Sequence, residues 1–219
     1  MGTFIKTVDS PILKRLTRTA ALLTLVKHIG EQMAKINALS LGWRLPEPDL
    51  CTLPAAGREF PRGRISEITG ARSSGRTSAL HALLAASTGL GETAALVDLK
   101  NTFDAPSAAS VGVDLTRLVW VRCNGNVEHA LRSADLLIHA GGFGVVALDL
   151  AEAAPRELDR IPSTAWFRFR GVLESTPVIL AVLADRPLAK SCAAHAIKLG
   201  PRRAMFTGRA PFLLLREAI

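Results

Sequence analysis

The chain has 219 residues and a mass of 23.4 kDa, with 48% hydrophobic and 21% charged residues, a balance that buries a sizeable core and excludes fibrous and low-complexity classes. Its 27 Lys and Arg against 19 Asp and Glu give a formal charge of +8, which favours an acidic partner such as nucleic acid or an acidic protein surface. Cys51, Cys123 and Cys192 are odd in number and far apart, which argues against a disulfide framework or a paired-cysteine zinc site and predicts reduced thiols in a cytoplasmic protein.

From Pro11 to about Ile36, apolar residues recur at Ile12, Leu16, Ala20, Leu23, Val26 and Met33, with Lys14, Arg15, Arg18, Lys27 and Lys35 elsewhere on the cylinder. This spacing predicts a basic amphipathic helix. Such a helix either covers part of the core or docks on a neighbouring protomer or partner, with Lys14, Arg15 and Arg18 as its contacts. Its apolar run from Ala20 to Val26 is too short to span a bilayer, and no membrane association is expected. Pro46, Pro48, Pro54, Gly57, Pro61 and Gly63 predict a linker over residues 43–63, so the chain divides into a helix-and-linker unit, 1–45, and a core domain, 46–219, whose ordered part starts at Arg64.

Ile65-Ser66-Glu67-Ile68 predicts a strand, followed by the turn Gly70-Ala71-Arg72-Ser73-Ser74-Gly75-Arg76-Thr77 and a helix from Thr77 to about Ser87. Strands are then expected at 94–97, 118–121, 144–149 and 177–183, alternating with helices at 107–111, 128–140 and 164–174, the last with Ser163 as N-cap. This alternation predicts an α/β fold with a mostly parallel central sheet flanked by helices. The segments 193–199, 204–207 and 212–215 read as short strands added antiparallel to one edge.

The turn at 70–77 fits the phosphate-binding pattern G-x-x-x-x-G-K-[ST] at every position except the lysine, which is Arg76. Gly70 and Gly75 let successive N–H groups and the helix N-terminus face phosphate oxygens, Ser73 and Ser74 lie within the cradle, and Thr77 offers a hydroxyl to magnesium. Arg76 keeps the charge, but its planar fork does not slot between terminal phosphates as an ammonium does. Two readings stay open: a working nucleotide site and a structural relic of one. Asp149, closing an apolar strand, stands where a magnesium-organising carboxylate is placed, or is an ordinary strand-end Asp bonded to backbone amides. Asp98 closes another strand, yet Lys100 follows it and is a poor base at neutral pH, so no catalytic base stands out. Trp166-Phe167-Arg168-Phe169-Arg170 interleaves aromatic and basic residues. Arg168 and Arg170 suit contact with single-stranded nucleic acid, while Trp166, Phe169 and Leu173 share a helix face and suit a core. Between Arg186 and Arg209 there are six Lys or Arg and no acidic residue, a basic tail in which Arg202 and Arg203 are further contacts for DNA or a partner.

Taken in order, Phe60-Pro61-Arg62-Gly63-Arg64-Ile65-Ser66-Glu67-Ile68-Thr69-Gly70, Ser73-Ser74-Gly75-Arg76-Thr77, Val97-Asp98, Asp104, Gly112-Val113-Asp114 and Leu148-Asp149 resemble the core of the RecA recombinase family over roughly residues 58–199. The leading helix likewise resembles the one by which RecA protomers link into filaments. The resemblance implies ATP and magnesium as cofactors. Three positions depart from it: Arg76 replaces the P-loop lysine, Lys100 stands at the position resembling the family's catalytic glutamate, and Val178 to Leu183 ends apolar where the family has a nucleotide-sensing glutamine. Ala184 to Ser191 is also short for the family's second DNA-binding loop, and the family's large C-terminal domain is not expected here. With these losses the chain looks most like the RecA-like accessory proteins of bacterial SOS mutagenesis, typified by ImuA, with SulA more distant. That likeness implies a weak or inactive ATPase joining RecA to an error-prone translesion polymerase subunit, with DNA a further partner. The alternatives are a slow P-loop ATPase switch and a SulA-like inhibitor of a polymerising protein.

Overall fold

The computed structural model describes residues 52–200 and, outside them, the backbone of three strands. In chain order the strands are β1 (Lys6–Asp9), β2 (Thr52–Ala55), β3 (Arg58–Pro61), β4 (Ile65–Gly70), β5 (Thr93–Asp98), β6 (Leu118–Arg122), β7 (Phe143–Asp149), β8 (Ile179–Ala184), β9 (Ala193–Leu199), β10 (Ala204–Thr207) and β11 (Leu214–Ala218). The helices are α1 (Arg76–Gly89), α2 (Ala105–Ser110), α3 (Val127–Ala140), α4 (Pro155–Asp159) and α5 (Ser163–Leu173). The expected helix over 11–36, with Lys14, Arg15 and Arg18, and the residues Arg202 and Arg203 lie outside the described residues.

Seven strands form one sheet in the order β1-β6-β5-β7-β8-β4-β9, and every neighbouring pair is parallel. Parallel strands need crossovers, and the crossover helices cover both faces, which is why β5, β7 and β8 read as continuous apolar runs. Successive side chains divide between two cores. Ala95, Val97, Val146, Leu148, Leu180 and Val182 join Trp166, Phe169 and Leu173 of α5 on one side. Ala94, Leu96, Val145, Ala147, Ile179 and Ala181 join Leu80, Leu83 and Leu84 of α1 on the other. The expected core face of α5 is therefore as the spacing predicts.

Local chemistry sets the helix ends. The Asn126 side chain accepts from the His129 N–H at 2.9 Å, starting α3, and Asp104 accepts from the Ser107 N–H at 3.0 Å, starting α2. Ser163 is not the cap of α5: Pro162 precedes the helix in an extended conformation, and Ser163 is its first residue. Proline before a helix supplies a fixed φ and gives up no needed donor.

Two further expectations are corrected. Residues 52–61 are not a linker but a hairpin, β2 pairing antiparallel with β3. Ala56 and Gly57, at φ 50° and 68°, make the tight turn. Leu53 and Phe60 are buried, so the hairpin covers the core on the α1 side. Its prolines are tolerated because a two-stranded ladder leaves outward N–H groups unused. At the other end, β9 joins the sheet parallel to β4, not antiparallel, while the antiparallel pairing holds between β10 and β11, which form their own two-stranded sheet. The return loop that makes β9 parallel is held by buried Glu67, whose Oε1 accepts the N–H groups of Leu188 and, at 2.9 Å, Ala189.

A second buried carboxylate clamps the start of β5 to β7. Glu92 accepts from Arg62 Nη2 at 2.7 Å and from Ser87 Oγ at 2.8 Å. Gly144 leaves it room, since a Cβ there would stand 1.9 Å from Glu92 Oε2. Both ions are almost wholly enclosed, so removing one leaves the other uncompensated. Glu92→Ala is expected to cost about 3 kcal/mol and Glu92→Gln distinctly less, read as a lower urea midpoint with an unchanged m-value.

Candidate phosphate-binding site

In a parallel sheet every strand ends on the same side, and here the ends of β4, β5, β7 and β8 open on a cavity of about 490 Å³. Its walls include Arg72, Arg76, Thr77, Lys100, Asp149, Glu152 and Leu183. The P-loop forms one wall. A Cβ on Gly70 would meet Ser74 Oγ at 2.4 Å and the Leu199 carbonyl at 2.9 Å, so only glycine allows the strand to leave this close to its neighbours. Ser73 and Gly75 take left-handed conformations, φ 61° and 94°, and the latter starts α1. The loop thus delivers the α1 N-terminus, with its unpaired N–H groups, to the cavity.

Within this cradle Ser73 and Thr77 are exposed, whereas Ser74 and Arg76 are buried. Arg76 is only 7% exposed, and its Nη2 lies 4.0 Å from Glu152 Oε1. Arg72 approaches the other oxygen of Glu152 at 3.8 Å. Arg76 Nη1 and Ser74 Oγ are buried with no hydrogen-bond partner. An unmet buried donor costs about 1–3 kcal/mol, and a phosphate oxygen in the cavity that Arg76 lines would satisfy its guanidinium.

Asp98 and Asp149 are register partners at the ends of adjacent strands. Asp98 is fully engaged: its carboxylate accepts the N–H groups of Thr102 (3.2 Å) and Phe103 (2.9 Å) and the Trp120 indole N–H (3.2 Å). It supports the wall and is not poised as a base. Asp149 accepts the Ala151 N–H at 3.0 Å, the strand-end backbone bond expected of an ordinary Asp, and also lines the cavity. Burial pushes its carboxyl up from 3.8 to about 6; the bond from Ala151 opposes this, Asp98 and Glu152 add to it, and Arg76 opposes it.

The residues fit a phosphate group on the strength of the orphaned Arg76 donor in the cavity wall. Toward magnesium they offer the Thr77 hydroxyl and the Asp149 carboxylate, and among the described residues no group of three or more His, Cys, Asp or Glu converges as a ligand set. Lys100 and Leu183, read from sequence as losses, line the same cavity as Arg76. The sequence reading missed Arg72, Glu152, His81 and Phe103. Arg72 lay inside the motif, and His81, four residues after Thr77, shares the helix face that begins at the loop. His81 packs edge-on to Phe103 at 5.7 Å, and burial lowers its pKa against the opposing charge of Asp104.

Arg168 and Arg170 are not part of this site. On α5 Arg168 is exposed and its Nε pairs with Asp135 Oδ1 at 3.0 Å, while the half-buried Arg170 lies 3.9 Å from Glu174 and stacks over the half-exposed Phe167 ring. Their charge is partly spent within the chain. Among the described residues no helix is long and apolar enough to cross a membrane.

A strand, glycine loop and helix at the carboxyl edge of a parallel sheet, with an aspartate closing a nearby strand, define a P-loop α/β protein. The RecA N-terminal domain family matches residues 14–159, more than half of the chain, and the chain belongs to that family. It is similar to Protein RecA of Lactobacillus delbrueckii subsp. bulgaricus, 34% identical over 150 residues that make up 64% of this chain and 44% of that protein. It is also similar to Protein RecA of Saccharopolyspora erythraea, 43% identical over 99 residues covering 44% of this chain and 28% of that one. The match therefore spans less than half the length of these relatives. A solved RadB recombinase aligns with a TM-score of 0.49 and 16% identity, over 62% of this chain and 74% of that one.

The folded state holds the Asp149 proton more tightly than the unfolded chain, so stability falls as pH rises through the window from about 4 to about 6 and stays lower above it. Asp149→Asn is expected to flatten that part of the stability–pH curve and to raise stability at pH 7 by about 2 kcal/mol, measured by urea denaturation across the window.

Proposed function

We propose that this chain is a RecA-like accessory protein of the bacterial DNA-damage (SOS) response, a weak or inactive ATPase that links RecA to an error-prone translesion polymerase assembly in the cytoplasm. The observation that carries the reading is that Arg76, Lys100 and Leu183 line a single cavity beside the P-loop; the family resemblance supports taking them as replacements of groups that couple nucleotide to chemistry. Retained binding with lost turnover is what an adaptor needs, because its nucleotide stabilises a conformation and does not drive a cycle. ATP is the proposed ligand, held by Gly70, Ser73, Ser74, Gly75 and Arg76, and Thr77 and Asp149 are the groups that would reach a magnesium ion. Lys14, Arg15 and Arg18 of the N-terminal segment are the proposed RecA-type contacts, and Arg202 and Arg203 the proposed DNA contacts. Arg168 and Arg170 contribute less, since each already faces a carboxylate of its own chain.

A second reading, a slow ATPase switch, is favoured by one specific feature: Thr77 and Asp149 still face the same cavity. Turnover separates the two. The purified chain with single-stranded DNA, ATP and magnesium is expected to hydrolyse ATP at no more than a background rate that Asp149→Ala leaves unchanged. Rapid DNA-stimulated turnover abolished by Asp149→Ala would sink the adaptor reading. Arg76→Lys combined with Lys100→Glu is expected to raise turnover by about a hundredfold, the scale of a restored general base, where neither change alone does so. Partner binding is tested directly: the full chain should bind purified RecA filaments, and a chain lacking residues 1–36 should not.

A further inference from the structure

We propose that the cavity binds the phosphates of a nucleotide without a divalent cation, the Lys100 ammonium and the Arg76 guanidinium serving as the neutralising charges. The inference rests on the reading that the P-loop still binds nucleotide, and it adds Lys100 as a phosphate contact. It begins with the orphaned donor. Arg76 Nη1 is buried without a partner on a side chain that lines the cavity, where a phosphate oxygen would satisfy it.

Arg72, Arg76 and Lys100 line the cavity together with Asp149 and Glu152, so three cations stand in its walls against two carboxylates. Magnesium ordinarily serves a bound phosphate by cancelling charge that the protein leaves exposed. Here a third cation stands in the wall to do so. Few groups remain to hold a metal: Asp98 accepts three N–H donors, which leaves Thr77 and Asp149, one of whose oxygens accepts the Ala151 N–H, in the cavity wall.

The backbone around the exposed Lys100 is also held in place. The Leu99 N–H donates to the Asp149 carbonyl at 3.2 Å, and the Gly125 N–H donates to the Leu99 carbonyl at 2.5 Å. Asn101 Nδ2 donates to Asn124 Oδ1 at 2.5 Å, with both asparagines in the left-handed region, φ 60° and 51°. The Lys100 ammonium lies 3.3 Å from where a Cβ on Gly125 would stand, so glycine there gives it its berth. Among the described residues Lys100 makes no ion pair. Arg72 and Arg76 share Glu152, which leaves Lys100 as the cation in the wall with its charge unspent.

Thermal unfolding of the full chain, titrated with ATP and separately with pyrophosphate, tests this in EDTA and in excess magnesium. Both probes are expected to raise the midpoint in EDTA, with affinities within about threefold of those in magnesium. Lys100→Ala should weaken binding in EDTA by about tenfold, the loss of one charged contact, and Lys100→Glu should make binding depend on magnesium. A wild-type shift that appears only with magnesium, or an affinity in EDTA unchanged by Lys100→Ala, overturns the inference and leaves the nucleotide-binding reading standing. No shift by either probe in either condition overturns both.

Discussion

The fold depends on one geometric constraint, that every strand of the central sheet runs in the same direction. A parallel sheet cannot be closed by tight turns, so each strand is followed by a helix or a long crossover, and all strand ends gather on one edge. Gly70, Asp98, Asp149 and Leu183 stand at or next to four such ends. They are distant in sequence and come together for no other reason. The same constraint explains the double burial of β5, β7 and β8, since helices are forced onto both faces.

Two buried carboxylates adapt this frame, and they do opposite work. Glu67 accepts backbone N–H groups from the loop before β9 and so fixes how the last sheet strand returns. Glu92 meets Arg62 and Ser87 and locks the entry to β5 against Gly144. Both are charges enclosed with their partners, which specify an arrangement more than they stabilise it. Neither faces the cavity, and neither belongs to its chemistry.

Much of this was legible in the sequence. The order of strands and helices followed from apolar runs of strand length separated by helical periodicity, and the loop at 70–77 fell between a strand and a helix as its glycines require. The hairpin at 52–61 was hidden by its prolines, which signal broken structure unless a ladder with free outer edges is considered. The parallel direction of β9 was hidden because direction is set by the crossover, here a loop pinned through Glu67, and not by the strand's own residues. The site was half legible. Glycines and serines fixed by backbone geometry announce themselves as a motif, whereas Glu152 and Arg72 matter only through where the folded chain carries them.

Arg76 shows how one substitution can be both a loss and a means of preservation. A lysine at this position is a flexible point charge that travels with the phosphates. The arginine fork is planar and less strongly hydrated, so it tolerates burial and finds a carboxylate of its own chain when no ligand is present. That pairing with Glu152, at the outer limit of an ion pair, is long enough to be surrendered. The guanidinium keeps a second face unpaired toward the loop. On the proposed reading such a site is suited to an anion, and Asp98, spent on the N–H groups of Thr102 and Phe103, is not free to serve as a base there. Binding and hydrolysis depend on different parts of a P-loop: the backbone path is fixed by glycine geometry at Gly70 and Gly75, whereas hydrolytic chemistry depends on side chains, so the proposed loss of one does not entail loss of the other.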